Sequence, residues 1–261
     1  MKSAKTWSIL NSIILLLIVG WNYTANSAGV DGNTVASLSD RYANLFTPAG
    51  YAFGIWGVIY LSLFALCTFL VKSAFSTRKY DALINGIGPG LAIVNLLNGL
   101  WLYAWLTENT LVSLFLMFGM LLMLLYLLSY LHQMKWDRIS VTRQAVWWPL
   151  SLYGGWITVA SIANVSALLA KNGISPVLSE VTWTVVMIGI ATVIYYMTVR
   201  LRKMTLFTAV GIWALVAIAW RHYGEIAVIF YTALACSFFL LVAIVKNTWL
   251  GGDRNHSTER T

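Results

Sequence analysis

Three short stretches of this 261-residue chain set flat rings beside small polar groups at helical spacing. In FTPAGYAFGIWGVIY (46–60), Phe53, Trp56 and Tyr60 recur three and four positions apart, which puts them on one helix face. In NLLNGLW (95–101), Asn95 and Asn98 precede Trp101, which lies about one turn beyond Asn98. In YGGWITVASIAN (153–164), Tyr153, Trp156, Ala160 and Asn164 step by three, four and four along another face. Indole and phenol rings offer faces on which a conjugated molecule can stack, and an amide can orient a polar edge. A few polar groups in an apolar lining is the usual composition of a small-molecule site. Each stripe alone reads equally as helix packing, because Gly50, Gly54 and Gly57 permit close approach. A buried asparagine, likewise, mostly serves an interhelical hydrogen bond.

Catalysis is a poorer reading of the same residues. Acid–base chemistry uses paired titratable groups in opposed environments, and the apolar runs hold no Lys, Arg, Asp or Glu. There is no Ser–His–Asp arrangement, Gly-rich phosphate loop or metal-ligand spacing, so neither an enzyme nor a metal site is expected. His132 and His222 fall at opposite ends of their runs and cannot share one iron. Cys67 and Cys236 both lie in apolar sequence and read as small packing residues.

The elements that must carry these stripes follow from composition. The chain is 59% hydrophobic and 10% charged, against roughly 25% charged residues in soluble domains. So few charges cannot cover a water-facing surface, and lipid is the alternative solvent. About 20 apolar residues make one helical crossing. Eight runs qualify: Trp7–Ala25, Gly50–Val71, Gly86–Leu106, Leu111–Leu131, Trp147–Leu169, Val181–Val199, Leu206–Trp220 and Ile226–Val245, the seventh being the shortest. The fold class expected is all-α, a polytopic membrane helical bundle of eight transmembrane helices.

Charge placement sets the expected orientation. With the N-terminus cytoplasmic, 14 of the 17 Lys and Arg residues fall in inner segments, and only Arg41, Lys171 and Arg221 fall outside. The positive-inside rule asks for this bias, so both termini are expected in the cytoplasm. The first run also resembles a secretory signal, but removing it would upset the alternation. The same distribution accounts for the net charge of +8 without nucleic acid, because the bases are spread thinly over every inner loop. The expected location is the plasma (inner) membrane, as a multi-pass protein within the lipid bilayer. The longest connection between runs, Asn26 to Ala49, lies outside and has the length of a lid. Residues 251–261 read as a polar, disordered tail.

Tryptophan is over-used, with 13 copies. Trp7, Trp21, Trp105, Trp147, Trp148, Trp183, Trp220 and Trp249 lie near run ends and read as headgroup anchors. Trp56, Trp101, Trp156 and Trp213 lie deeper, where an indole N–H usually finds a partner.

These residues resemble the TspO/MBR family, the tryptophan-rich sensory proteins related to the translocator protein or peripheral benzodiazepine receptor. Pro48, Trp56 and Tyr60 match the family's P-x7-W-x3-Y. Leu97, Asn98 and Trp101 match L-N-x2-W, and Tyr153, Trp156, Ala160 and Asn164 match the fifth-helix motif P-Y-x2-W-x3-A-x3-N except at its proline. Ala49 stands where the family has a second proline, Leu152 replaces the proline before Tyr153, and WLYAWL replaces the usual third-helix tail. The resemblance covers about residues 7–171 and implies five TspO/MBR-like helices at 1–171. Three additional helices would occupy 172–250, packing on the bundle or forming a homodimer face. It further implies a cavity under a lid formed by the first loop, taking a porphyrin, sterol or lipid-like molecule. A tetrapyrrole such as porphyrin or haem is the ligand in view. Its ligand-binding residues would be Trp56, Tyr60, Asn98, Trp101, Tyr153, Trp156, Ala160 and Asn164. A transporter or permease component is the other reading, although proton- or ion-coupled carriers normally bury ionisable residues. The stretch INGIGPGLAI (84–93) would be its broken helix.

Overall fold

The computed structural model describes residues 2–134, 143–174 and 178–256. The inner connection at 135–142, with Lys135, Trp136 and Arg138, lies outside the described residues, as do 257–261 of the tail. The described residues form helices α1 (Lys2–Ser27), α2 (Val35–Arg41), α3 (Ile55–Ser76), α4 (Asp81–Leu106) and α5 (Thr110–Gln133). They continue with α6 (Trp148–Lys171), α7 (Glu180–Arg202), α8 (Thr205–Arg221) and α9 (Ala227–His256). A 3₁₀ turn at Gly50–Gly54 leads into α3. The helix α9 carries the first residues of the expected tail as far as His256.

Every apolar run coincides with a helix, because a backbone in hydrocarbon must satisfy its own hydrogen bonds. Among the described residues, seven helices, namely α1, α3 to α7 and α9, are long and apolar enough to cross a bilayer. The eighth, α8, has 17 residues, about 25 Å of rise against a hydrocarbon core of about 30 Å. Protein covers much of its surface. Phe207, Ala214, Leu215, Ala217 and Ile218 are at most 1% exposed, since α6 covers one side and α7 and α9 the other. The opposite face stays open, with Trp213 40% and Trp220 65% exposed.

Five helices close a ring. In order around it, α1 packs on α4, α4 on α5, α5 on α6, α6 on α3, and α3 back on α1. The remaining three are added through α8, which lies against α6, while α9 lies against both α7 and α8.

The glycine- and proline-bearing stretch expected as a break is continuous helix, with Pro89 inside α4. Its glycines serve close approach instead. A Cβ at Gly88 would lie 2.7 Å from the Cβ of Trp7, and the Gly88 carbonyl accepts the Asn11 amide at 3.0 Å. The segment therefore binds α1 tightly to α4.

Candidate functional site

At the end of the ring under α2, the rings of α3 and α4 form a continuous stack. Helical spacing of four sets Trp56 above Tyr60, with centroids 5.4 Å apart and planes inclined by 26°. The same spacing sets Trp101 above Trp105, at 6.2 Å and 17°. Trp56 and Trp101 then join the two pairs across the helices at 6.5 Å and 25°. Tyr153 meets Trp56 edge-on at 5.8 Å, and Phe53 meets Trp156 edge-on at 6.0 Å. All of these lie in the range of favourable aromatic pairs.

Between this stack and α6 is a cavity of about 60 Å³. Of the expected residues, Trp56, Trp101, Trp156, Ala160 and Asn164 line it. Tyr60, Asn98 and Tyr153 do not. They support the lining from behind: the Asn98 side-chain oxygen accepts from the Tyr60 hydroxyl and from the Asn22 amide, both at 3.3 Å. One amide thus ties α1, α3 and α4 together. Tyr153 is fully buried, with its hydroxyl 3.9 Å from the Met120 sulfur. Asn164 accepts the Ser113 hydroxyl at 3.2 Å, which fixes its orientation against α5.

Trp105 corrects the sequence reading. Expected as a headgroup anchor, it is 6% exposed and lines the cavity. Its spacing of four from Trp101 was the available signal; its nearness to a run end pointed the other way. Trp213 has the partner its depth called for, donating to the Ala52 carbonyl at 3.1 Å. Among the described residues, the indole N–H groups of Trp101 and Trp105 have no hydrogen-bond partner. Neither His132 nor His222 is part of the lining.

The ceiling is α2 with the segments on either side of it. A capping box starts the helix: Thr34 accepts from the Ser37 N–H at 3.2 Å, while Ser37 accepts from the Thr34 N–H at 2.8 Å. Val35, Ser39 and Tyr42 present this element to the cavity, and Thr47 and Pro48 continue it. The element is held by polar contacts centred on Glu108, a residue in the α4–α5 turn with φ +59°. Arg41 donates to the Glu108 carboxylate at 2.7 Å, and Tyr42 donates to its other oxygen. Asn33 donates to the Leu106 carbonyl at 3.0 Å. The Lys171 ammonium, from the end of α6, donates to the Glu108 carbonyl.

The far side of the ceiling is tied to α8. Arg221 donates to the Pro48 carbonyl at 3.3 Å and lies 3.6 Å from the Asp40 carboxylate. The ring of His222 donates through Nε2 to the Leu45 carbonyl at 2.8 Å, since a carbonyl can only accept. The Ala49 N–H donates to the Ala217 carbonyl at 3.1 Å. Thus Arg41, Lys171 and Arg221, the three bases that depart from the inner-loop pattern, all hold the ceiling.

This polar setting shifts the pKa of two groups. The Tyr42 hydroxyl, followed by Arg41 and Lys171, holds the Glu108 carboxyl below the usual glutamate range. The Glu108 carboxylate in turn pushes the Tyr42 phenol above the usual tyrosine range. Among the described residues no group of three or more His, Cys, Asp or Glu side chains gathers in a metal-binding arrangement.

Comparison with known proteins gives one match. No curated protein and no solved structure matches the chain. A protein-family profile described as TSPO-like protein matches residues 8–246. The matched stretch enters in α1 and continues through the three helices beyond the ring, and on that ground the chain belongs to the TSPO-like family.

Proposed function

We propose that this is an integral membrane binding or sensory protein that takes a flat, largely apolar molecule between its first five spanning helices. The ligand class is porphyrin-, sterol- or lipid-like, and a tetrapyrrole suits the stacked rings best. The observation that carries this reading is the void between the Trp56–Trp101–Trp105 stack and Trp156, covered by a polar-latched ceiling. Trp56, Trp101 and Trp156 would stack on the ligand, and Asn164 would face its polar edge. Asn98 and Tyr60 would hold the stack from behind. The unpartnered N–H groups of Trp101 and Trp105 would suit acceptor oxygens or ring nitrogens on the guest. With no histidine in the lining, stacking rather than iron coordination would hold a haem.

The void of about 60 Å³ is below the roughly 300 Å³ at which small-molecule sites begin. Entry therefore requires α2 to lift and the rings to part. We further place both termini in the cytoplasm, with α8 as an eighth, shortened crossing and the ceiling on the outer side. The placement of Arg41, Lys171 and Arg221 on the ceiling supports that orientation.

The test is a titration of purified protein with protoporphyrin and with haem, followed by tryptophan quenching. Saturable quenching is expected, with affinity at least tenfold weaker in Trp56→Ala and in Trp156→Ala, since each loses a base-sized stacking platform of about 1–3 kcal/mol. Trp148→Phe, on a half-exposed indole at the other end of α6, should bind as the parent does. Unsaturable quenching, or equal affinity in all three variants, would overturn the proposal. Porphyrin flux across proteoliposomes without a stable complex would favour a permease.

A further inference from the structure

A second hollow lies away from the ring interior, between α1 and α3. It has a volume of about 360 Å³, well above that of the covered cavity. Ser12 and Leu16 form one wall and Phe64, Cys67, Thr68 and Val71 the other, with Lys72 at one end. Both walls belong to helices long and apolar enough to cross a bilayer, and Leu16 is 61% exposed. The hollow therefore opens toward the acyl chains.

Its polar groups include one charge, on the exposed Lys72. The Ser12 hydroxyl donates to the Ser8 carbonyl at 2.9 Å and the Thr68 hydroxyl to the Phe64 carbonyl at 2.8 Å. Along the length of the groove, then, each hydroxyl is satisfied within its own helix, and what remains asks for hydrocarbon. Lys72 is different. Among the described residues no carboxylate pairs with it. A second base stands at the same end, because α1 runs antiparallel to α3. Lys5 holds its ammonium 4.6 Å from the ring of Phe75, one turn beyond Lys72.

We infer that this groove is a binding site for an anionic glycerophospholipid. One acyl chain lies along Leu16, Phe64 and Cys67, and the phosphate is met by Lys72 with Lys5 nearby. A sterol would fill the apolar length but leave the ammonium without an anion. A zwitterionic lipid carries its own cation beside the phosphate and gains less from the two bases. Basic recesses between spanning helices are suited to anionic headgroups for this reason.

Native mass spectrometry of the full chain in detergent, titrated with dioleoylphosphatidylglycerol and dioleoylphosphatidylcholine, tests the assignment. One phosphatidylglycerol should be retained in clear preference to phosphatidylcholine. Lys72→Gln should lower that preference about five-fold, and Lys72→Arg should restore it. Leu16→Trp, which fills the groove from an exposed position, should remove the retained lipid of either kind. Equal retention of the two lipids by the parent protein would overturn the inference, as would an unchanged preference in Lys72→Gln or unchanged retention in Leu16→Trp. A parent protein that is a dimer without retained lipid, and a monomer in Leu16→Trp, would show instead that a second copy covers the groove and would also overturn it.

Discussion

The ceiling over the cavity and the seam between α6 and α8 are built by opposite means. The ceiling is held by side chains at helix ends: Arg41, Tyr42 and Lys171 to Glu108, and Arg221 and His222 to backbone carbonyls. Its main ion pair is half-open to solvent, with Arg41 51% and Glu108 32% exposed, and such exposed pairs contribute little to stability. The seam is made by close contact. A Cβ at Gly155 would come within 2.7 Å of the Phe207 carbonyl oxygen and 3.0 Å of the Val210 Cβ. The Gly155 carbonyl also accepts the hydroxyl of the fully buried Tyr195 at 2.8 Å. Dense packing resists gradual deformation, whereas exposed polar contacts exchange readily with water. One region is therefore a frame, and the other is suited to open and close on it.

The largest expected effect tests the frame. Gly155→Ala should destabilise the protein by about 2 kcal/mol in thermal or denaturant unfolding in detergent, because backbone cannot yield to the added methyl. Gly57→Ala, where a Cβ has nothing within 4 Å, should stay within about 0.5 kcal/mol of the parent. Equal effects at the two glycines would break the distinction. Next, Tyr195→Phe should cost about 1 kcal/mol by removing the hydrogen bond to Gly155. A loss confined to the ceiling would be the wrong outcome.

The smallest effect on global stability is expected at the latch. Glu108→Gln should leave unfolding nearly unchanged yet speed amide exchange across Val35–Arg41, as read by hydrogen-exchange mass spectrometry. If α8 loosened as much as α2, ceiling and frame would not be separable. The pH dependence sharpens the point. The folded-state pKa of Glu108 is lowered, so its contribution is complete above the ordinary glutamate value of about 4.3. It is lost as pH falls through the lower folded value. The folded-state pKa of Tyr42 is raised, so its contribution is complete below about 10 and is lost above that. Ceiling protection should therefore be flat between those limits and fall at both ends, with the acid fall absent in Glu108→Gln.

What was legible in the residues, and what was not, divides along the same physical line. The spans were legible because lipid leaves a helix few choices: each apolar run became a helix, and the stripes at Trp56–Tyr60 and Tyr153–Asn164 came to face the ring interior. The α8 helix was the exception in length, with 17 residues. Trp105 shows why position along a span is an incomplete guide, as an end under a covering element is not an end at the headgroups. Arg41, Lys171 and Arg221 were legible as the minority on one side of the charge pattern. Their common task was not, because it depends on Glu108 and Pro48, which are far away along the chain.

Solvent preference alone, then, determined an all-helical membrane chain, the positions of its crossings and the faces that carry rings and amides. These are local consequences of apolar length and helical period. Only the tertiary structure decided which rings touch, that Asn98 braces the stack from behind while Asn164 lines the void, and that the long first loop is latched from both α6 and α8. Those outcomes depend on which helices become neighbours. Neighbours are chosen by long-range shape fits such as Gly88 against Trp7 and Gly155 against Phe207, which no run of adjacent residues contains.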